Sequence, residues 1–187
     1  INHYEDRTRA FVKIQDGCNN YCAYCIIPYL RGTIRNKDFD VAVKEINDLA
    51  NNGFKEIVLT GIHTGSYPRL TELIKEISKN PNLERIRISS IEITELDDEF
   101  LEEFKNNKKL CDHMHVPVQA ACDNTLKKMN RKYDMERYIS IINKLREVRP
   151  DINITTDLIV GFPSETKEDF EESYNNAKLI KFGKIHV

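Results

Sequence analysis

Three cysteines fall close together in the stretch GCNNYCAYC, residues 17–25. Cys18, Cys22 and Cys25 are separated by three and then two residues. Three thiolates on one short loop leave a metal site with one open valence. Zinc usually takes four ligands, often as two separated pairs, so a zinc site here needs a distant partner such as His63, His113 or His115. A four-iron, four-sulfur cluster takes one thiolate per iron, so three cysteines leave one iron free for a substrate or cofactor. The third reading is three structural cysteines with no metal. The spacing admits all three. It favours the iron–sulfur reading, because two short gaps let one loop wrap three corners of a cube. Cys111 and Cys122 stand far away and read as packed thiols.

The elements that must position this loop alternate between strand and helix. AFVKI (10–14) alternates as a strand and runs straight into the cysteine loop. Asp38 caps a helix with apolar residues at Phe39, Ala42, Val43, Ile46, Leu49 and Ala50, and Gly53 ends it. EIVLT (56–60) is a second strand, followed by a helix over 70–78 and a third strand over 83–89. A short helix over 97–107 precedes a fourth strand, 114–119, which Pro117 marks as an edge or a strand end. The clearest helix runs from the cap Asp134 to the stop Pro150, with Tyr138, Ile141, Ile142, Leu145 and Val148 on one face. A fifth strand spans 152–162, with Asp157 inside it and Gly161 at its end. Thr166 caps the next helix, and KIHV (184–187) opens a sixth strand.

Crossovers of a dozen or more residues between strands require a parallel sheet. Crossovers that keep turning the same way build a barrel, whose chemistry sits at the C-terminal ends of the strands. The expected fold is therefore α/β, a partial barrel of parallel strands truncated in its sixth strand. The cysteine loop lies at the end of strand one, where such a barrel does chemistry.

Length and composition set the frame. A chain of 187 residues with 40% hydrophobic and 31% charged residues suits one soluble domain that needs no disulfide staples. No apolar run reaches membrane-spanning length, and the N-terminus lacks a signal-peptide core. Five cysteines, an odd number with three clustered, fit a reducing cytoplasm better than a secreted disulfide framework. Residues 1–37 carry six Lys/Arg against three acids, so a basic excess surrounds the cysteine loop. That is either an anion-binding patch or a solvated face.

The loop C-x3-C-x2-C after a first strand, with Tyr24 before the last cysteine, resembles the radical S-adenosylmethionine (SAM) superfamily. Its fold is a partial (β/α)6 barrel. The resemblance implies a [4Fe-4S] cluster on Cys18, Cys22 and Cys25 whose open iron chelates SAM, with reductive cleavage of the sulfonium to a 5′-deoxyadenosyl radical. The stretches 7–32, 57–67, 87–96, 115–133 and 155–166 are similar to the tRNA methylthiotransferases, and together they span nearly the whole chain. Gly61-Ile62-His63 and Ser89-Ser90-Ile91-Glu92 resemble the branch acting on N6-threonylcarbamoyladenosine beside the anticodon. The isopentenyladenosine and ribosomal-protein branches are the alternatives, and a non-catalytic metal-binding module is the alternative of another class.

The resemblance also implies roles. Tyr24 lies beside the cofactor adenine, and Thr60 and Gly61 lie against its amino group. Glu92 and Gln119 point into the barrel mouth, where a buried carboxylate needs a partner. Arg131 pairs with the cofactor carboxylate, and Asp157 and Gly161 belong to an adenine-contacting fifth strand. Arg31 and Gly32 meet the tRNA or the threonyl carboxylate. The family reaction inserts sulfur and a methyl group at an adenine C–H. It draws on a second [4Fe-4S] cluster in an N-terminal domain, a C-terminal RNA-binding domain and a reducing electron donor. Both domains are expected to lie outside residues 1–187, which form the radical core alone. The partner is the tRNA anticodon loop, with neither DNA nor membrane, in the cytoplasm. The sequence departs from the family at QAAC (119–122), where Ala121 replaces a glycine, and at SYPRL (66–70).

Overall fold

The computed structural model describes residues 8–187. Glu5, Asp6 and Arg7, counted in the basic excess, lie outside the described residues. Among the described residues eight strands form: β1 (Arg9–Lys13), β2 (Gln15–Asp16), β3 (Arg35–Asn36), β4 (Glu56–Thr60), β5 (Arg85–Ile88), β6 (His113–His115), β7 (Asn153–Asp157) and β8 (Lys184–His186). The same residues form seven α-helices: α1 (Ile27–Arg31), α2 (Phe39–Asn51), α3 (Leu70–Ile77), α4 (Asp98–Asn106), α5 (Asp123–Lys128), α6 (Met135–Val148) and α7 (Lys167–Ile180).

Two parallel three-stranded sheets, β1-β4-β5 and β6-β7-β8, carry the fold. They meet between β5 and β6. Ile86 N–H donates to Lys109 O at 2.7 Å, Cys111 N–H to Ile86 O at 3.0 Å, and Ile91 N–H to His115 O at 3.1 Å. Six parallel strands thus run in chain order as a partial barrel.

Alternation decides the faces. Ala10 and Val12 of β1 sit level with Ile57 and Leu59 of β4, and these with Ile86 and Ile88 of β5. This apolar row packs against Ala42 and Ile46 of α2, Leu73, Ile74 and Ile77 of α3, and Phe100 and Phe104 of α4. Period-two residues of the other parity form the opposite face, which is mixed: Arg9, Lys13, Glu56, Thr60, Arg85 and Arg87 stand there with Phe11 and Val58. The same register brings Arg9 and Arg85 to either side of Glu56.

The caps read from the sequence form. Asp38 accepts from Val41 N–H, Asp134 from Arg137 N–H, and Thr166 makes a reciprocal capping box with Asp169. Four strands are shorter than expected: the third covers Arg85–Ile88 rather than 83–89, the sixth Lys184–His186 rather than 184–187, and the fourth and fifth also fall short. The fourth ends at His115, because Pro117 brings no N–H to continue the ladder. The fifth covers Asn153–Asp157 rather than 152–162, so Asp157 ends it and Gly161 lies in the loop beyond. Three small elements were not anticipated: α1 and the antiparallel pair β2–β3. That pair closes the base of the cysteine loop.

Candidate active site

The loop leaves β2 at Gly17, whose φ is +75°. A Cβ there would stand 2.1 Å from Thr33 O, so only glycine fits. Cys18 N–H donates to Gly32 O at 3.2 Å, which draws the loop shut behind α1. Pro28, the second residue of α1, lies in the first turn, where its preset φ and missing N–H are tolerated. A turn more than a hundred residues away pins the far side. Ala23 N–H donates to Met129 O at 3.0 Å, and Asn130 Nδ2 donates to Tyr21 O at 2.9 Å.

All three loop cysteines are free thiols and partly buried. Cys18 Sγ accepts from Asn20 N–H at 3.4 Å and lies 3.8 Å from His63 Nδ1. Burial pushes the Cys18 thiol up, and the Asn20 N–H opposes it. Cys22 Sγ accepts from Arg131 Nη1 at 3.3 Å. Of the three histidines weighed as a fourth zinc ligand, His63 reaches the loop. His113 and His115 instead bond Thr155 and Asp157 in the sheet. Among the described residues, no three His, Cys, Asp or Glu side chains group as the ligands of one metal ion.

Arg131 is the hub. Its side chain is 4% exposed and forms an ion pair with Glu92, whose side chain is 19% exposed. Its Nη1 also reaches Tyr24 OH at 3.5 Å, and its Nε reaches Tyr133 OH at 3.3 Å. Tyr133 in turn donates to Val118 O at 2.8 Å, which ties the hub to the end of β6. Burial pushes the Glu92 carboxyl upward against the pull of Arg131. Burial likewise raises the Tyr24 and Tyr133 phenols against the same guanidinium. The site therefore holds a fixed cation next to a sulfur and a carboxylate.

A second pair backs the first. Glu92 caps the short turn Ile93–Glu95, and its own N–H donates to Glu95 Oε2 at 3.3 Å. Glu95 forms an ion pair with His63 Nε2. Burial lowers the His63 pKa, but the Glu95 hydrogen bond and charge outweigh it, and the net shift is upward. The sequence offers His63 as a distant zinc ligand and as part of the Gly61-Ile62-His63 resemblance, and it does not single out Glu95, Gln15 or Tyr133. The one signal available was the acid three residues after Glu92, the spacing of a capping box.

The other expected residues divide. Thr60 ends β4, its carbonyl accepting from Ile14 N–H at 2.9 Å, and Gly61 packs on Gln15. Gln119 adopts a φ of +63°, and its backbone bridges Asp157 O (2.9 Å) and Ile159 N–H (2.7 Å). Asp157 engages His115 at 3.2 Å and His186 at 3.1 Å. Gly161 N–H donates to Glu165 Oε2 at 2.5 Å. Phe162, next to it, meets Tyr24 edge-on at 6.4 Å, which brings this loop to the cysteines. Arg31 is exposed on α1, and Gly32 serves the loop's own geometry. Cys122 is buried against Asp169 and Glu172. The cavity of about 530 Å³ lined by Ile159, Phe170, Tyr174 and Ile185 is bordered by none of the three loop cysteines. The chemistry gathers instead in the narrow cleft of Cys22, Glu92 and Arg131.

The family profile described as "Radical SAM superfamily" matches residues 12–177. The chain belongs to the radical SAM superfamily. Members bind a [4Fe-4S] cluster and SAM. The chain is 44% identical to a threonylcarbamoyladenosine tRNA methylthiotransferase, MtaB, of Bacillus subtilis, over 98% of this chain and 42% of that protein. It is 41% identical to a tRNA-2-methylthio-N(6)-dimethylallyladenosine synthase of Acetivibrio thermocellus, over 98% of this chain and 40% of that protein. The chain thus spans less than half the length of these relatives. A solved structure, the radical SAM methyltransferase TsrM of Kitasatospora setae, superposes with a TM-score of 0.78 at 19% identity. That match covers 94% of this chain and 35% of TsrM, and it establishes the shared radical SAM fold. Three free thiols on one loop, with an N–H at Cys18 and a guanidinium at Cys22, suit the cluster's demand for thiolate ligands.

Proposed function

We propose that this chain is the radical core of a tRNA methylthiotransferase that converts N6-threonylcarbamoyladenosine beside the anticodon to its 2-methylthio derivative. The observation that carries the reading is the convergence of Cys22, Tyr24 and Glu92 on the buried Arg131. It stands beside 44% identity to an enzyme of that name. Cys18, Cys22 and Cys25 would hold the cluster, which when bound would supply one electron to cleave the SAM sulfonium.

The chain's own residues do the positioning. Arg131 would supply the positive charge for the cofactor carboxylate once its present partners give way, and Glu92 would offer acceptors to the cofactor's amine or hydroxyls. The Arg131–Glu92 pair holds both groups in place before any ligand arrives. Thr60 and Gly61 would serve the cofactor's amino group. Tyr24, Gln119, Asp157 and Gly161 would serve the adenine side. Exposed Tyr29 and Arg31 on α1 offer a stacking face and a cation to an RNA loop, with Leu30 an apolar contact beside them. The target base lies in the anticodon loop, where flipping it out costs little. The second [4Fe-4S] cluster and the RNA-binding domain belong to the rest of a longer protein, which draws on a reducing electron donor and works in the cytoplasm with its tRNA. No helix among the described residues is long and apolar enough to cross a membrane.

The test is anaerobic iron–sulfur reconstitution, followed by EPR of the reduced cluster with and without SAM. The expected result is a four-iron signal that shifts when SAM is added and is absent in Cys22→Ala. Tight zinc with no iron signal overturns the reading. A second reading, modification of isopentenyladenosine, has the 41% identical synthase in its favour. Nucleoside analysis of tRNA from a deletion strain separates the two, since each predicts the loss of a different methylthio-adenosine.

A further inference from the structure

Arg87 of β5 stands on the face turned away from α2, α3 and α4, and the roles assigned above make no use of it. Register sets it in one row with Val58 of β4 and Phe11 of β1. The row lies two residues before Thr60 and Lys13, which end their strands, so it sits about 7 Å down the face from the strand ends. Phe11 is 40% exposed and Val58 is buried. An aromatic ring, an apolar floor and a guanidinium thus follow one another across the sheet.

The charge around Arg87 does not balance. Its Nε donates to Glu56 Oε1 at 2.9 Å, and the same carboxylate takes Arg85 at 3.0 Å and Arg9 at 3.4 Å. Three guanidinium groups on one carboxylate leave positive charge over. Arg9 and Arg85 stand one row lower with half-exposed side chains, and Arg85 has Glu84 as a further partner at 3.7 Å. Arg87 is nearer the strand ends and more sheltered than either, its side chain 26% exposed. It spends Nε on Glu56, and a guanidinium carries two further nitrogens for a second acceptor. In the other half of the sheet His113 and His115 are tied to Thr155, and Asp157 is held between His115 and His186.

We propose that Arg87 selects the acidic substituent of the target adenosine by pairing with its threonyl carboxylate, while Phe11 and Val58 carry the apolar side of the bound group. The proposal deepens the tRNA reading above and rests on it. An adenine ring whose reacting carbon lies at the strand ends can send its N6 arm down this face. The carbamoyl link is peptide-like, about 3.8 Å from N6 to the threonyl α-carbon, and the carboxylate lies just beyond. A guanidinium suits a carboxylate, and sheltering from water strengthens the pair. An isopentenyl arm carries no charge. It would strip water from Arg87 and return no partner, so one residue both favours the acidic arm and rejects the apolar one. Arg31, exposed on α1, is left to the RNA backbone.

The experiment uses the full-length protein, reconstituted anaerobically. Fluorescence anisotropy measures its binding to three anticodon stem–loops that differ only at the target base: N6-threonylcarbamoyladenosine, its methyl ester and plain adenosine. Iron content and the SAM-dependent EPR shift are recorded on each sample. Wild type is expected to bind the acid about tenfold more tightly than the ester or adenosine, as a charge-assisted hydrogen-bonded pair provides. Arg87→Met should lose that tenfold for the acid alone, with the other two affinities, the iron content and the EPR shift unchanged. Arg87→Lys should recover part of it. Arg31→Met should weaken all three RNAs equally. Full preference for the acid in Arg87→Met overturns the proposal, and so does a selective loss of the acid in Arg31→Met. If Arg87→Met does not fold, Arg87→Gln, which keeps an N–H for Glu56 without the charge, decides by the same criterion. A wild-type protein that binds the three RNAs alike fails the substrate reading itself, before any variant is compared, and this proposal falls with it.

Discussion

The half of the sheet built from β1, β4 and β5 carries ions on its concave face, whereas the half built from β6, β7 and β8 carries hydrogen-bonded histidines. In the first half Glu56, 8% exposed, gathers Arg87 at 2.9 Å, Arg85 at 3.0 Å and Arg9 at 3.4 Å. In the second, His113 and His115 share Thr155 Oγ1 at 3.1 and 2.9 Å, and Asp157 lies between His115 and His186. The loops at the strand ends differ in a related way. Those of the first half supply the three cysteines, His63, Glu92 and Glu95. The second half sends back one buried cation, Arg131, steadied by Tyr133. Sulfur and carboxylate come from one half and the countercharge from the other, so neither half makes the site alone.

Breaking that bridge should have the largest effect. Arg131→Met leaves Glu92 as a buried carboxylate without its cation, at a cost of about 3 kcal/mol. Urea unfolding of the cluster-free chain measures it, and the double variant with Glu92→Leu should recover most of the loss. Gly17→Ala tests the first half alone. Its left-handed backbone and the clash with Thr33 O should cost about 2 kcal/mol and loosen the cysteine loop. Hydrogen exchange should show that loosening while leaving α6 protected. A uniform loss of protection would mean that the two halves do not separate in this way. Tyr138→Phe probes the second half. It removes the bond to Val116 O at 2.7 Å, worth about 1 kcal/mol in the denaturation midpoint.

The smallest effect sharpens the comparison through pH. Asp169 accepts from Asn124 at 2.9 Å and from Thr166 N–H at 3.1 Å, which joins α7 to α5. These bonds, the Asn124 one foremost, lower its pKa from 3.8 to about 2. A depressed carboxyl contributes stability that is complete above the unfolded value and is lost as pH falls through the folded one. Asp169→Asn should therefore flatten the dependence of stability on pH between about 4 and 2. An unchanged acid limb would remove Asp169 from this role.

Much of the scaffold was legible in the sequence because it rests on local rules. Asp38, Asp134 and Thr166 cap their helices through N–H groups three residues on. EIVLT forms β4 with the expected bounds because its neighbours bury it on both faces. The fifth strand was read too long, because apolar Leu158, Ile159 and Val160 look like strand but leave the ladder after Asp157. The QAAC turn departs from the family pattern, yet the left-handed residue there is Gln119, and Ala121 does not appear among the positive-φ residues.

The sequence by itself determined the three thiols, their spacing on one loop and the strand that delivers them, since these are set within a few residues. Only the tertiary structure decided what surrounds the sulfurs. Arg131 stands 109 positions from Cys22, and His63 stands 45 from Cys18. Strand order and register bring such groups together, and no local pattern records them. Hydrogen bonds and ion pairs act over a few ångströms of space whatever the distance along the chain. The identity of the ligands was therefore readable in the sequence, while the charge and hydrogen bonding around them had to be read from the fold.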